Sequence, residues 1–360
     1  MFDTRTALPL SLAAATFASM LGLGLMVPAL PLLTGGDAVA AAGLVSAFGI
    51  ARVAAAVPAG LIADRAGLRL AGALGLLLLF AGSVLGAFPL GYGGLLVTTL
   101  LQGIGSSVFS TVSMTGLALA LGPERRGAAM TWFQAAILLA FSIGPVVGGF
   151  VIGHLGLRSP YEIQAGLAVL AAAALPLLPR RAPSAPRLGE AGQRSRPIWT
   201  AALIGGAAIA FAGFLARTVT GWTLVPAVSS SLYAMTPDRL GTLIGVATLV
   251  NFLLLPINAR LVDGMGPVPS IAATTVASIL GLLLMAEVPA EWALWVGTAI
   301  VMAATGLALP AAGAVVLEGV DPANTGRTMG LFRMAGDIGL AGGPVLVTGT
   351  IKALGLPLPA

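Results

Sequence analysis

The sequence lacks the side chains from which most catalytic and metal sites are built. Among its 360 residues there is no cysteine, which excludes disulfide bonds, thiolate metal sites and thiol nucleophiles. The single histidine, His154, cannot form a histidine metal site or a Ser–His–Asp triad. The single lysine, Lys352, stands close to the C-terminus, so no G-x-x-x-x-G-K-[ST] phosphate loop is possible. We therefore expect neither an enzyme nor a bound metal or cofactor.

Charge is also scarce, and apolar residues take its place. Charged residues make up 9% of the chain and hydrophobic residues 58%, whereas charged residues are about 25% of an average soluble domain. A water-soluble protein of this length could not cover its surface with so few charges. Glycine (49) and proline (24) are common, as in membrane helices, where neighbours pack closely and satisfy freed backbone groups. The composition indicates an all-α membrane protein with many spans.

Apolar stretches long enough to cross a bilayer cover most of the chain. The eleven predicted spans are residues 7–33, 38–62, 68–89, 92–121, 127–153, 161–179, 198–222, 240–262, 268–288, 291–317 and 326–353. The longest polar interruption, residues 180–197, is rich in arginine and proline and reads as a flexible linker. We therefore expect an N-terminal bundle over residues 1–179, a cytoplasmic linker over 180–197 and a C-terminal bundle over 198–360.

Basic residues are distributed unequally between the two sides of the predicted membrane. The segments on the same side of the predicted membrane as the N-terminus hold twelve basic residues: Arg5, Arg65, Arg69, Arg125, Arg126, Arg180, Arg181, Arg187, Arg194, Arg196, Arg260 and Arg327. Segments on the opposite side hold three: Arg158, Arg239 and Lys352. Because basic loops stay in the cytoplasm, the sequence predicts a cytoplasmic N-terminus and a multi-pass protein of the bacterial inner membrane. Placement in short loops also argues against a nucleic-acid partner.

An internal repeat relates the two halves at an offset of 199 residues. Three pairs share this offset: Asp64–Gly67 with Asp263–Gly266, Gly127–Met130 with Gly326–Met329, and Gly144-Pro145 with Gly343-Pro344. The repeat predicts two six-helix bundles in the same orientation. The counterpart of the sixth span would begin at about residue 360, so the repeat predicts a twelfth helix beyond the eleven spans found here. We expect a truncated twelve-helix design, with an eleven-helix variant as the alternative.

A motif rich in glycine and charge lies between the second and third spans. It reads G-x-x-x-D-R-x-G-x-R and comprises Gly60, Asp64, Arg65, Gly67 and Arg69. The glycines allow a tight turn and close helix approach, and an acid at a membrane edge needs a partner such as an arginine or a helix N-terminus. A solvated charged loop is the alternative interpretation.

This motif resembles the loop signature of the major facilitator superfamily, and the resemblance covers essentially the whole chain. It implies two six-helix bundles that rock about a central site. It also implies a conformational latch, in which the Asp64 region contacts the eleventh span near residues 326–329 in the outward-facing state. The second copy has Gly264 and Val268 where the first has arginines, so the resemblance implies one latch.

The fifth span carries Gly144, Pro145, Gly148 and Gly149. Proline removes a backbone donor and bends a helix, while glycines let a partner helix approach. The pattern resembles the G-P-x-x-G-G antiporter signature of the drug-efflux branch, although the signature's upstream glycines are absent. A packing kink without bearing on transport direction is the alternative.

The fourth span carries Gln102, Gly103 and Gly105. This stretch is similar to the R-x-x-Q-G-x-G motif of the same efflux branch. Thr99 stands at the arginine position. Because that arginine is associated with proton coupling in the family, the departure weakens a simple proton-antiport assignment.

Four charged residues fall inside predicted spans: Arg52, Arg217, Arg333 and Asp337. A charge near the bilayer centre costs at least about 2.5 kcal/mol, so such residues usually face a cavity or a partner. Arg333 and Asp337 are four residues apart on one helix face and can pair. Asp337 is the acid placed well inside a span, which makes it our candidate for a protonatable coupling residue.

The repeat relates these charges to polar residues in the opposite half. Arg52 corresponds to Asn251, and Gln134 corresponds to Arg333. Together with Arg217, which a polar stretch follows, these residues are our candidates for the lining of a central substrate cavity. Structural hydrogen bonds between helices are the alternative.

The leading hypothesis is a secondary active transporter that works by alternating access in the lipid bilayer. An ion gradient, with protons as the coupling ion, would drive export of a small lipophilic or amphipathic compound. The first alternative is uptake or exchange of a small, possibly anionic, metabolite, which requires Arg52 and Arg217 to converge on one cavity. The second is a membrane protein that binds or scaffolds without transport, or an incomplete fragment.

Overall fold

The structure is a computed structural model that describes residues 4–121, 126–178, 200–317 and 325–353. Within these ranges the long elements are helices and no β-strand is present. This confirms the all-α prediction. The predicted linker over residues 180–197 lies outside the described residues.

The described helices follow one another with short connections. They are α1 (Thr4–Leu25), α2 (Leu30–Leu33), α3 (Ala38–Ala66), α4 (Leu68–Gly86), α5 (Tyr92–Leu121), α6 (Arg126–Leu155), α7 (Ser159–Ala172), α8 (Ala201–Val219), α9 (Val225–Ser231), α10 (Pro237–Met265), α11 (Pro267–Glu287), α12 (Glu291–Leu317) and α13 (Thr325–Ala353). Turns of 3-10 helix lie at Val27–Ala29 and Leu175–Leu177, and a π-helical turn at Thr220–Leu224 joins α8 to α9.

Ten segments of the described chain are long and apolar enough to cross a membrane. They correspond to the first ten predicted spans. Helix α13, with 29 residues, matches the eleventh prediction and carries Arg333 and Asp337 in its interior. The chain is therefore an integral, multi-pass membrane protein.

The seventh predicted span, residues 198–222, was too short. The helix continues from Ala201 through the π-helical turn to Ser231. Its polar end resembles a loop in the sequence, but the hydroxyls of Ser230 and Ser231 both donate to the carbonyl of Ala227. Because the hydroxyls are satisfied inside the helix, they do not terminate it.

The internal repeat is visible in the helix boundaries. Four consecutive pairs of helices begin 199 residues apart: α3 and α10, α4 and α11, α5 and α12, α6 and α13. The turns that follow α3 and α10 also agree, since Gly67 has φ 87° and ψ 159° and Gly266 has φ 83° and ψ 165°. The two halves therefore repeat one architecture, as the sequence predicted.

Helices α1 and α3–α7 pack together as the first bundle, and α8–α13 pack together as the second. The two most extensive interfaces between the bundles are those of α6 with α10 and of α3 with α13. Because the repeat relates α3 to α10 and α6 to α13, these interfaces are equivalent. We call the region between these two interfaces the cleft.

Helix α6 lies between α1 of its own bundle and α10 of the other. A β-carbon at Gly144 would lie 2.8 Å from the Cα of Gly24 in α1. A β-carbon at Gly149 would lie 2.6 Å from the Cα of Asp238 in α10. Any side chain at either glycine would push the helices apart, so the fifth-span motif sets the spacing of α6 from both neighbours.

The α6–α10 interface is closed at one end and open at the other. Gly241 and Gly245 of α10 contact the backbone of α6 at Pro145 and Ser142. The same stripe of α10 continues with Leu249 and Leu253, which are 39% and 61% exposed. The bundles therefore meet where α6 ends and α10 begins, which we call the closed end, and separate toward the opposite, open end.

Replacing Gly67 with alanine should destabilise the protein by about 1–3 kcal/mol, because its backbone conformation is open to glycine almost alone. Gly264→Ala is the matched control, since Gly264 is helical and a β-carbon there would meet no atom within 4 Å. Thermal unfolding of the purified protein should show a lower midpoint for the Gly67 variant only. Equal midpoints would contradict the turn geometry.

Candidate functional site

Arg52 of α3 and Asp337 of α13 form an ion pair between the two bundles. Nε and Nη2 of Arg52 donate to Oδ1 of Asp337 at 3.3 and 3.4 Å. The two side chains are only 12% and 9% exposed. A buried pair of this kind holds together only while both partners are charged, since removing one charge leaves the other unmatched. The contact between α3 and α13 therefore depends on the charge of Asp337.

Helix α5 positions Arg52 through two serines. Nη1 of Arg52 donates to the hydroxyl of Ser106 at 3.0 Å, and this hydroxyl donates to the carbonyl of Gly103 at 3.1 Å. The hydroxyl of Ser107 donates to the backbone carbonyl of Arg52 at 3.0 Å. These bonds orient the guanidinium toward the interface, so α5 holds the charge of α3 in place.

Arg333 reaches in the opposite direction, from α13 into the first bundle. Its Nη1 lies 3.3 Å from Sδ of Met114, and its guanidinium lies 5.5 Å from the ring centre of Phe133. With Arg52 and Asp337, it gives the interface two positive charges and one negative charge. We call the central cluster the set of Arg52, Ser106, Arg333 and Asp337.

The expected pairing of Arg333 with Asp337 is wrong. The carboxylate of Asp337 pairs with Arg52 instead. The reason is the close approach of α3 to α13 at Gly49, where a β-carbon would lie 2.6 Å from the backbone nitrogen of Ala341. Arg52 on α3 and Asp337 on α13 each lie about one helical turn from this close contact. Proximity across the interface outweighs proximity along one helix.

Three aromatic rings meet between the bundles, about one turn nearer the closed end than Arg52. The ring of Trp222, in the π-helical turn, lies 6.1 Å from the ring of Phe48 in α3 and 5.8 Å from that of Phe141 in α6. The guanidinium of Arg52 lies 5.8 Å from the ring centre of Phe48. The cleft therefore combines an aromatic wall with a charged centre. Such π-helical turns are frequent at functional sites.

None of the described hydrogen bonds or ion pairs joins the remaining cavity candidates to the central cluster. Nη1 of Arg217 donates to the carbonyl of Met302 in α12 at 3.0 Å. Asn251 is fully buried, and neither polar atom of its side chain has a hydrogen-bond partner in the described chain. Gln134 is exposed on α6. Within the described residues, no group of three or more His, Cys, Asp or Glu side chains comes together to hold a metal.

The predicted latch residues lie at the open end. Nε of Arg69 donates to the carbonyl of Leu178, at the end of the sixth span, and so pairs with backbone rather than with Asp64. Asp64 and Arg65 are exposed, and Asp64 has no ion pair with any described residue. Most side chains of the expected receiving segment, residues 326–329, lie outside the described residues. The latch therefore stays a prediction.

The sequence pattern of the Major Facilitator Superfamily matches residues 12–344 of the chain. The chain belongs to this superfamily. The match extends from α1 to α13 and so includes both bundles and the cleft between them. Members of the Major Facilitator Superfamily are transporters, which agrees with a polar, partly charged site between two apolar bundles.

Two curated relatives match part of the chain. An uncharacterized MFS-type transporter of Methanocaldococcus jannaschii is 29% identical over 160 residues, which is 44% of this chain and 42% of the relative. The quinolone resistance protein NorA of Staphylococcus aureus is 28% identical over 164 residues, 43% of this chain and 40% of the relative. The matched segments thus span about two fifths of each relative's length.

Solved structures confirm the fold. The nucleoside transporter NupG superposes with a TM-score of 0.74 at 18% identity, covering 96% of this chain and 92% of that one. A D-xylose–proton symporter superposes with a TM-score of 0.71 at 15% identity, covering 94% and 88%. At such identities the likeness establishes the architecture of this superfamily member and leaves its substrate open.

Sequence reasoning found the charges of the central cluster but missed the groups that surround them. Ser106, Met114, Phe48 and Phe141 were not singled out. A signal for the serines exists, since hydroxyl residues recur through residues 106–113 of an otherwise apolar helix. For the aromatic residues no signal exists, because apolar rings occur throughout membrane helices.

Breaking the Arg52–Asp337 pair should be costly and non-additive. Arg52→Gln and Asp337→Asn should each destabilise the protein by at least about 2 kcal/mol, because each leaves a buried charge without its partner. The double variant should lose less than the sum. Thermal unfolding of all four proteins measures the coupling.

The ion pair of Arg239 with Glu291 is the matched control for this cycle, since its side chains are 56% and 31% exposed. Exposed pairs contribute about 1 kcal/mol or less. Equal coupling energies for the two pairs would contradict a buried tie between the bundles.

Proposed function

We propose that this Major Facilitator Superfamily transporter exports a small lipophilic or amphipathic compound in exchange for protons. The observation that carries the proposal is the buried Arg52–Asp337 pair between the bundles, beside the rings of Phe48, Phe141 and Trp222. An aromatic wall favours ligands with apolar, planar surfaces. The partial likeness to the quinolone resistance protein and the G-P-x-x-G-G motif support the direction.

The central cluster suggests how proton binding drives the cycle. Asp337 is the acceptor that holds Arg52 against α13. A proton on Asp337 removes the negative charge and leaves the positive charges of Arg52 and Arg333 at the interface. The attraction between α3 and α13 then weakens, and the bundles can rock to the state in which the opposite end is open. Thr99 stands where the similar motif has an arginine, so the coupling that we propose involves α3 and α13 and requires no arginine on α5.

The basic loops predict which end of the protein faces the cytoplasm. The turn between α3 and α4, with Arg65 and Arg69, lies at the open end. With these loops and the N-terminus in the cytoplasm, the open end is cytoplasmic and the structure represents an inward-open state. We also propose that the bundles divide at residues 180–197, and that Asp64 meets residues 326–329 when the open end closes.

Uptake or exchange of an anionic metabolite through paired arginines receives less support. That reading required the guanidinium groups of Arg52 and Arg217 to converge. Arg52 pairs with Asp337, while Arg217 donates to the carbonyl of Met302 within the second bundle. The two groups have separate partners, so they do not form one two-arginine carboxylate site.

Asp337→Asn should abolish proton exchange without preventing insertion into membranes. Sealed vesicles with an acid interior would contain the protein and a trapped pH dye, and lipophilic cations such as ethidium would be added outside. The unmodified protein should release protons on addition of a compound, and Asp337→Asn should release at least tenfold fewer. Glu162→Gln, which neutralises an exposed acid of α7, is the matched control.

Proton release that persists in Asp337→Asn would contradict coupling at this residue. An unmodified protein that responds to no compound in the panel would contradict proton-driven export itself. Equal loss in Asp337→Asn and Glu162→Gln would show a general charge effect rather than a coupling site.

Locking the closed end should stop transport if the bundles rock. Ala38 of α3 and Ala227 of α9 line one small cavity between the bundles at that end. Because the chain has no cysteine, a bifunctional methanethiosulfonate can bridge cysteines introduced at both positions through disulfide bonds without modifying any native residue. Transport should fall at least tenfold in the bridged double variant and recover on reduction. Each single variant treated with the linker is the control, and full transport by the bridged protein would contradict alternating access.

A further inference from the structure

Arg217 is a cation without a counter-charge among the described residues. It lies on α8 within the second bundle and is half-buried, and its one described hydrogen bond goes to the neutral carbonyl of Met302. The ion pairs in the described part of the chain join Arg52 to Asp337 and Arg239 to Glu291, so no described carboxylate is within pairing distance of Arg217. A guanidinium has five N–H donors, and charge held inside a membrane protein usually has a partner.

Asn251 is a second buried polar residue that lacks a suitable partner in the described chain. It is fully buried on α10, and neither Oδ1 nor Nδ2 has a hydrogen-bond partner in the described chain. Its side chain faces Gly306 of α12, where a β-carbon would lie 2.6 Å from Cγ of Asn251. Burial of an amide without partners is unfavourable, so a ligand that accepts from Nδ2 would be stabilising.

Both groups contact helix α12. Arg217 meets α12 at Met302 and Asn251 meets it at Gly306. These positions are four residues apart, so they lie on one face of the helix and one turn from each other. Two donors that each bind one shared acceptor at about 2.9 Å can be up to about 6 Å apart. This separation is close to the rise of one helical turn, which is the spacing of Met302 and Gly306 along α12.

We propose that Arg217 and Asn251 form an anion-binding subsite in the second bundle, which takes a carboxylate or a halide. Both groups offer N–H donors, and the guanidinium supplies the positive charge, so the site selects anions over cations. The anion is either the carboxylate of an organic ligand or an inorganic ion. This site goes beyond the proposed exchange of protons for a lipophilic compound, because it involves neither Asp337 nor the aromatic wall.

Binding can be tested on the full chain in detergent, without transport. The thermal midpoint would be followed during titration with sodium benzoate, with its uncharged analogue benzamide, and with sodium chloride, at constant ionic strength set with sodium HEPES. A ligand that binds the folded state raises the midpoint in a saturable manner. Benzoate should raise it and benzamide should not. The chloride titration shows whether an inorganic anion competes for the same site.

Three variants locate the site. Arg217→Gln removes the charge and should weaken benzoate binding at least tenfold. Asn251→Leu removes the unpartnered amide and should weaken it at least threefold, while raising the midpoint of the ligand-free protein. Arg239→Gln removes an arginine from an exposed ion pair and is the matched control, with binding unchanged.

Equal shifts with benzoate and benzamide, or no shift with either benzoate or chloride, would overturn the proposal. The proposal is also overturned if Arg217→Gln binds benzoate as tightly as the unmodified protein does. If that variant does not fold, the comparison of benzoate with benzamide on the unmodified protein and on Asn251→Leu decides alone. Because no transport is measured, failure of the anion site leaves the proton-exchange experiment unaffected.

Discussion

Close backbone contact between the two bundles is the constraint on which the rest of the structure depends. Gly149 lets α6 meet α10, and Gly49 lets α3 meet α13. No side chain separates the helices at these points, so polar groups one turn away are brought within hydrogen-bonding distance. The Arg52–Asp337 pair is the direct consequence, because Gly49 and Ala341 hold its two helices together.

The repeat supplies symmetry, and the polar side chains break it. Arg52 and Asn251 occupy equivalent positions, yet one crosses to the other bundle and the other faces α12 of its own. Arg333 and Gln134 are also equivalent, but one contacts the opposite bundle and the other is exposed. One scaffold therefore carries a buried ion pair between the bundles and, within the second bundle, the amide of Asn251, which has no hydrogen-bond partner among the described residues.

The glycine motif of the fifth span has a structural role that does not exclude a functional one. Gly144 spaces α6 from α1, and Gly149 spaces it from α10. The first contact is internal to a bundle and the second lies between bundles. Rocking would change only the second, so a single motif keeps one bundle rigid while it permits the other contact to open. Its resemblance to an antiporter signature and its packing role are thus compatible.

Composition, apolar spans and the 199-residue offset determined the helical membrane fold from the sequence, because each depends on local hydropathy or on direct comparison of residues. They also identified the charged residues, since a charge inside an apolar span is visible without a structure. Only the tertiary structure decided the partners. Asp337 is four residues from Arg333 but pairs with Arg52, which is 285 residues away, and Trp222 meets Phe48 and Phe141 from another bundle. These contacts follow from how closely helices approach across an interface, and periodicity along one helix carries no information about that distance.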